Sequence, residues 1–552
     1  MRNLYQSKTF FLVLLAFGLL WFYALGARTL VPTDEGRYAE MAREMLSSGD
    51  WITTRLNAIK YFEKPPLQVW FTALTFKLFG LGEWQARLWT GLCGLLGIFL
   101  AAYTGHRLFG PWVGITSGLV LASSFYWAAF GHINTLDMGL SGTMSLALFG
   151  LLLGQNPQAR DAEQRNWMLV CWAGMALAVL SKGLIGIVLP GAVLVLYTLA
   201  SRDWAIWTRL HLGKGLLLFF AIAAPWFVLV SLKNPEFAHF FFIHEHFERF
   251  TSKVHNRFQP WHYFIPLLVL GILPWLTVLL QSVLGGMRKT AGAFQPQMVL
   301  TIWAVFIFFF FSISDSKLPS YILPIFPALA VLIALHLERA GVNTWRSIAV
   351  VAALIGVAGQ VVALRLPGFA HDPFETGNYA AAQPWVYAGC TLLLAGGLLV
   401  LWLSRRAQED FRSQAALILA AAGFVSSQLF MLGTEQEGRY RAGMEVVEPI
   451  LAELTPATPL YAVGVYEQSL PFYLRHTMTL VEHADEMEFG LGLEPQLWLP
   501  TREAFVARWN NGQKALAITR PEIYADLLQS GLTMHVVAQN SRRVVIANDP
   551  KP

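Results

Sequence analysis

Residues 9–38 read TFFLVLLAFGLLWFYALGARTLVPTDEGRY, an apolar run followed within five positions by Asp34, Glu35, Arg37 and Tyr38. A helix rises about 1.5 Å per residue and needs roughly 20 mainly apolar residues to cross a hydrocarbon core of about 30 Å. The run meets that length. Ionisable groups set directly beside it are unfavourable unless they bind, catalyse or pair. The junction therefore predicts a membrane helix that opens onto a functional surface.

The rest of the chain extends this pattern. Of its 552 residues, 55% are hydrophobic and only 14% charged, whereas soluble domains carry about 25% charged residues. Twenty Trp, 39 Phe and 16 Tyr residues suit the membrane–water boundary. The class read from these numbers is an α-helical polytopic membrane protein. The net charge of +5 implies no nucleic-acid partner, because basic loops on one side of a membrane account for it. Cys93, Cys171 and Cys390 lie in or beside apolar stretches without CxxC spacing, which indicates neither a thiolate zinc site nor a redox pair. The first run resembles a signal peptide, but further membrane segments follow and a retained helix is the simpler reading.

Segments near 9–29, 86–106, 112–130, 138–154, 167–181, 184–200, 213–231, 262–284, 298–313, 320–337, 347–364, 384–402 and 413–431 predict about 13 spans. With the amino terminus inside, the inward connections carry Arg107; Arg160 and Arg165; Arg202, Arg209 and Lys214; Arg288 and Lys289; Arg339 and Arg346; and Arg405, Arg406 and Arg412. Every short inward loop is then basic, as the positive-inside rule requires. An odd count places the tail outside. The division expected is a membrane domain over 1–432, with large exterior loops at 30–85 and 232–261, and a small exterior α/β domain over 433–552. In the tail, 459–466, 515–518, 535–538 and the Val544 run read as strands, and 502–509 and 522–528 as helices. Residues 34–46 and 71–81 read as helices lying along the outer membrane surface.

This topology gathers ionisable groups on one side: Asp34, Glu35, Arg37 and Tyr38; Lys60, Tyr61, Glu63 and Lys64; His132 and Asp137; Lys182; the run His244 to Arg249; His255 and Arg257; and Asp315, Lys317 and Tyr321. Solvated loops are the plain explanation for any one of them. Short loops wedged between apolar spans favour a shared polar cavity for the set. Lys64, Lys182, Arg249 and Lys317 are candidates for an anionic substrate, arginine as a bidentate phosphate ligand and lysine as a mobile point charge. Asp34 and Asp137 would repel a phosphate unless they hold a cation, orient a nucleophile or bind metal. His244 and His246 are two apart, unlike the i,i+4 pair of HExxH. Either one joins Glu63 to hold a divalent ion, zinc before magnesium, or the neighbouring Glu245 and Glu248 pair with basic groups. Pro65 and Pro66 fix an extended approach for Lys64 or simply start a helix. Tyr321 donates to a phosphate oxygen or anchors its helix at the interface.

In chain order, PTDEGRY (32–38), YFEKPP (61–66), HINTLD (132–137), LSKG (180–183) and SKLPSYILP (316–324) resemble the dolichyl-phosphate-mannose protein mannosyltransferase superfamily. Within it they are most similar to the bacterial 4-amino-4-deoxy-L-arabinose transferases acting on lipid A. The resemblance covers the membrane region nearly end to end. It implies a GT-C fold and a monomeric, lipid-phosphate-dependent inverting glycosyltransferase of the Gram-negative inner membrane, surrounded by membrane lipids, with its site and tail in the periplasm. The implied donor is an undecaprenyl-phosphate-linked aminoarabinose, and the implied acceptor a lipid A phosphate. Asp34 and Asp137 match the acidic residues of the first two exterior loops. Lys64, Arg249 and Tyr321 match places for the donor phosphate, with Arg37, Tyr38, Tyr61, Lys182 and Lys317 lining the cavity. Tyr61, Glu63 and His244 match a divalent-ion or lining position, with no cofactor otherwise called for, and the residue pattern itself adds His246 to the candidate metal ligands Glu63 and His244. A related lipid-phosphate sugar:protein or glycan glycosyltransferase and a transporter of lipid-linked sugars are the competing classes.

Overall fold

The computed structural model describes residues 8–248, 258–289, 292–371, 373–406 and 410–548, without the side chains of Thr9 and residues 245–248. Among the described residues, eight helices are long and apolar enough to cross a membrane: Glu83–Phe109, Leu136–Gly154, Leu212–Lys233, Pro296–Ile313, Pro319–Arg339, Val342–Phe369, Pro373–Leu403 and Phe411–Ala442. A ninth arises if Phe264–Gly271 and Leu276–Gly286, bent by 115°, form one span. Pro274 lies in that break, where the missing N–H interrupts the helical ladder. The expected 13 spans thus reduce, by length and composition, to eight or nine. The remaining expected segments are helices too, but Phe10–Gly26, Pro111–Ser123 and Ile185–Ser201 are shorter, and Asp161–Lys182 begins on Asp161 and Glu163 and ends on Lys182.

Indole rings organise the core between the spans. Trp21, Trp127 and Trp275 are wholly buried, and their ring N–H groups donate to Gly91 O at 3.2 Å, Gly94 O at 3.0 Å and Ser123 Oγ at 2.9 Å. Each large apolar ring is thereby buried in the protein core without an orphaned donor.

A second core lies outside the spans. Helix Asp34–Ser48, the hairpin of β1 (Arg55–Leu56) and β2 (Ile59–Lys60), and helix Leu67–Phe79 contribute Tyr38, Met41, Met45, Ile59 and Phe76 to it, while the tail contributes Val446, Ile450, Leu480, Met487 and Val545. The tail builds one sheet from β3 (Leu460–Val463), β4 (Thr479–Val481), β5 (Trp498–Leu499), β6 (Leu516–Thr519), β7 (His535–Gln539) and β8 (Val544–Ala547), in the order β5-β4-β3-β6-β8-β7. The β5–β4–β3–β6 pairs are parallel and those to β8 antiparallel. Phe505, Trp509 and Leu527, from helices Arg502–Trp509 and Pro521–Gln529, cover the other face.

Helix Asp34–Ser48 does not lie on a free membrane surface as expected, because Glu35 through Ala42, Glu44 and Met45 are all buried. Its apolar face meets the tail, and its acidic face is neutralised by neighbouring donors. The approach is close: a Cβ on Gly36 would stand 2.6 Å from Ser469 Cα, and one on Gly490 would strike the carbonyl of Lys60. The glycine of the DEGRY stretch is therefore a packing requirement between loop and tail.

Candidate active site

Adjacent carboxylates at the start of helix Asp34–Ser48 have opposite surroundings. Glu35 is wholly enclosed and receives Arg87 Nε at 2.6 Å and Nη2 at 2.9 Å, a bidentate pair. Asn134 N and Val31 N donate to the same carboxylate at 2.8 and 3.1 Å. Arg87 spends its other donors on the carbonyls of Leu25, Arg28 and Thr29 at 2.9, 2.6 and 2.9 Å. Burial alone would raise the Glu35 carboxyl, but the charge and hydrogen bonds of Arg87 outweigh it and hold it below the ordinary value. This network ties the first exterior helix to the Glu83–Phe109 span and leaves Glu35 no room to meet a substrate.

Asp34 stays partly open instead. Its side chain keeps 39% of its surface open, although protein surrounds it on most sides. That enclosure raises its carboxyl above 3.8; Arg37 opposes the rise and the charge of Asp137 adds to it. Arg37 Nη1 stands 3.8 Å from Asp34 Oδ1 and donates to Tyr61 Oη at 3.2 Å. Its Nη2 meets Glu486 Oε2 at 2.5 Å, and Tyr61 Oη donates to the same oxygen at 3.3 Å. Tyr38 and Tyr61 have their phenols held well above 10.0, chiefly by burial, with Asp34 and Glu63 respectively the next cause. Both are neutral donors at physiological pH. Glu486 comes from the tail, so the exterior domain completes this wall.

The opposite wall is built on Asp137, at the start of helix Leu136–Gly154. Lys182 pairs with its Oδ1, and Ser320 Oγ donates to Oδ2 at 2.9 Å. The Lys182 ammonium also sits 4.5 Å from the centre of the Tyr321 ring, a cation–π distance. The charges of Asp137 and Lys182 both act on the Asp34 carboxyl, which puts the two walls within electrostatic reach of each other.

The other expected residues are placed differently. Lys64 donates to the Glu63 carbonyl at 2.8 Å and lies 3.7 Å from its carboxylate. Lys317 donates to the carbonyls of Gln259, at 2.7 Å, and Ser314, so its ammonium clamps backbone. The His244 ring stacks on Phe240 with centroids 5.2 Å apart. Arg249 and the His246 side chain lie outside the described residues. Among the described residues, no three His, Cys, Asp or Glu side chains converge as metal ligands. Glu486 and Ser320 escaped the sequence reading. The first sits in a soluble-looking tail, and the second was read only as a neighbour of Tyr321.

Comparison with known proteins places this geometry. Residues 63–229 match the dolichyl-phosphate-mannose-protein mannosyltransferase family, and residues 446–548 match the aminoarabinose transferase C-terminal domain. The crystal structure of ArnT from Cupriavidus metallidurans bound to undecaprenyl phosphate superposes with a TM-score of 0.93 at 43% identity, covering 98% of this chain and 99% of that one. The chain belongs to the undecaprenyl phosphate-aminoarabinose arabinosyl transferase family. Another member, from Pseudomonas aeruginosa, is 30% identical over 420 residues, 72% of this chain and 75% of its own. A third, from Edwardsiella ictaluri, is 30% identical over 359 residues, 64% of each chain. The family likeness fixes a polytopic helical membrane protein of GT-C type that carries a C-terminal domain.

Proposed function

We propose that the chain transfers 4-amino-4-deoxy-L-arabinose from undecaprenyl phosphate to a phosphate of lipid A on the periplasmic face of the Gram-negative inner membrane. The end-to-end likeness to a transferase that binds undecaprenyl phosphate carries this reading. In the reaction, the bond between the sugar's anomeric carbon and the donor phosphate oxygen breaks, leaving undecaprenyl phosphate. An acceptor phosphate oxygen attacks the opposite face of that carbon and inverts it.

The acceptor is already anionic near neutral pH, so Asp34 acts as an orienting and stabilising charge for the sugar ammonium or the positive ring of the transition state. Arg37, Tyr38 and Tyr61 shape the cleft around it. Both oxygens of Asp137 are engaged by Lys182 and Ser320, and its part is to aim the Lys182 ammonium. Lys64, Lys182, Arg249 and Tyr321 neutralise charge as it grows on the departing phosphate; Lys317 supports them by fixing its loop. Glu63, His244 and His246 are the residues that would hold a divalent ion, although among the described residues no three His, Cys, Asp or Glu side chains converge.

Topology belongs to the same reading. Thirteen spans, with the shorter helices crossing as part of the bundle, place residues 433–552 in the periplasm above the cleft.

Purified protein with synthetic aminoarabinosyl undecaprenyl phosphate and lipid A, analysed by mass spectrometry, tests the function. Lipid A gaining one aminoarabinose is the expected product. No gain on lipid A, or sugar appearing on added periplasmic protein instead, overturns it. Loss of the product on chelation, restored by zinc, is the outcome expected of the metal proposal.

A further inference from the structure

An exterior cleft of about 370 Å³ opens where the far end of helix Asp34–Ser48 meets the tail. It lies nine or more residues beyond Asp34, about 14 Å along the helix, and shares no residue with the catalytic walls. Arg43, Glu44, Ser48, Arg55, Arg475 and His476 are among the residues that line it.

The basic groups differ in how they are engaged. Arg43 is held by Glu40 at 2.6 and 2.7 Å, and Arg55 by Glu494 at 3.0–3.1 Å. The Arg475 guanidinium is exposed and has no ion-pair or hydrogen-bond partner among the described residues. His476 Nδ1–H donates to the Thr477 carbonyl at 2.6 Å, which leaves Nε2 as an acceptor for a P–OH group. Arg475 also caps helix Leu470–Leu474 in the left-handed region at φ 53°. Glycine holds that C-cap conformation at least cost, so an arginine there accepts local strain and brings a charge to the cleft. The lining acid, Glu44, accepts from Asn57 N at 2.5 Å and Ala58 N at 2.7 Å, one bond to each carboxylate oxygen. Its carboxylate is engaged by that backbone and has no ion pair to Arg475.

We propose that this cleft is a second anion site that takes a phosphate group, with Arg475 and His476 as its ligands and the Ser48 hydroxyl as a further donor. A phosphate monoester fits the donor set, whether as a lipid headgroup or as free phosphate. The site stands apart from the transfer reaction and does not rest on it.

Titration calorimetry of the full-length protein in detergent tests the assignment with two probes, inorganic phosphate and short-chain phosphatidic acid, and short-chain phosphatidylcholine as the blank. The variant R475G/H476A keeps the left-handed cap and removes both ligands; R508Q, an exposed arginine elsewhere on the tail, is the control. The site predicts at least tenfold weaker phosphate binding in R475G/H476A, parent binding in R508Q and an unchanged melting temperature in both. Stronger binding of phosphatidic acid than of phosphate assigns the site to a headgroup, and equal binding assigns it to the free anion. Parent-like phosphate binding by R475G/H476A, or no saturable binding to the parent protein, overturns the proposal.

Discussion

Asp34 and Glu35 are consecutive carboxylates on one helix, yet one stays partly open and the other is sealed. Glu35 has a bidentate arginine and two backbone donors, and its charge is held below the ordinary value. Asp34 has one cation 3.8 Å away and a carboxyl raised by its enclosure. The same side-chain chemistry thus serves as scaffold where every acceptor site is filled and as working group where it is not. Asp137 stands between these extremes, engaged by Lys182 and Ser320 but open to the charge of Asp34.

Breaking the scaffold half should have the largest effect. Arg87→Met leaves Glu35 buried without its cation, a change worth about 3–5 kcal/mol. Little folded protein is expected, measured as thermal unfolding of purified material. Because Glu35 is lowered, its contribution is fully present above the unfolded carboxyl value and is lost as pH falls through the folded one. The parent should therefore lose stability in acid, and Glu35→Gln should flatten that loss.

On the working half, Asp34→Asn should cut transfer by about 10²–10³-fold, the scale of losing one stabilising group aimed at developing charge. The sign for stability is opposite to that of Glu35. A raised carboxyl binds its proton more tightly folded than unfolded, so its contribution falls away as pH rises through the raised value. Asparagine should leave the melting temperature unchanged or slightly higher at neutral pH. Transfer by the parent should decline in acid as Asp34 is protonated, at a pH above the ordinary aspartate value.

A smaller effect is expected from Glu486→Gln, which weakens the hold on Arg37 by about 1–3 kcal/mol. It should raise KM for the donor more than it lowers kcat, which steady-state kinetics would resolve. Parent kinetics would show that the tail does not complete the cleft. Least of all, Lys317→Met should cost about 1 kcal/mol in stability for its lost carbonyl contacts and leave donor binding within about threefold.

Much of this was legible in the residues. The apolar run ending in DEGRY marked the membrane class, and the apolar runs within 459–466 and 515–518 marked the central strands β3 and β6. Burial of helix Asp34–Ser48 was not legible. Its pattern shows one apolar face, and only the fold reveals that Arg87, Arg43 and the backbone of Asn57 answer the carboxylates on the other. Glu486 carried no signal either, because it lies on a short turn at 485–487 with no period to read. Lys317 misled for a plain reason: a lysine before Pro and Tyr looks like a phosphate ligand until two carbonyls are found to hold it.

The contrast between the two neighbouring carboxylates is tested most directly by assaying Asp34→Asn in reconstituted membranes, with transfer to lipid A and thermal unfolding recorded on the same preparation. The expected result is a protein that melts at or above the parent temperature and transfers almost no sugar. A variant equally stable that transfers at close to the parent rate would contradict the account.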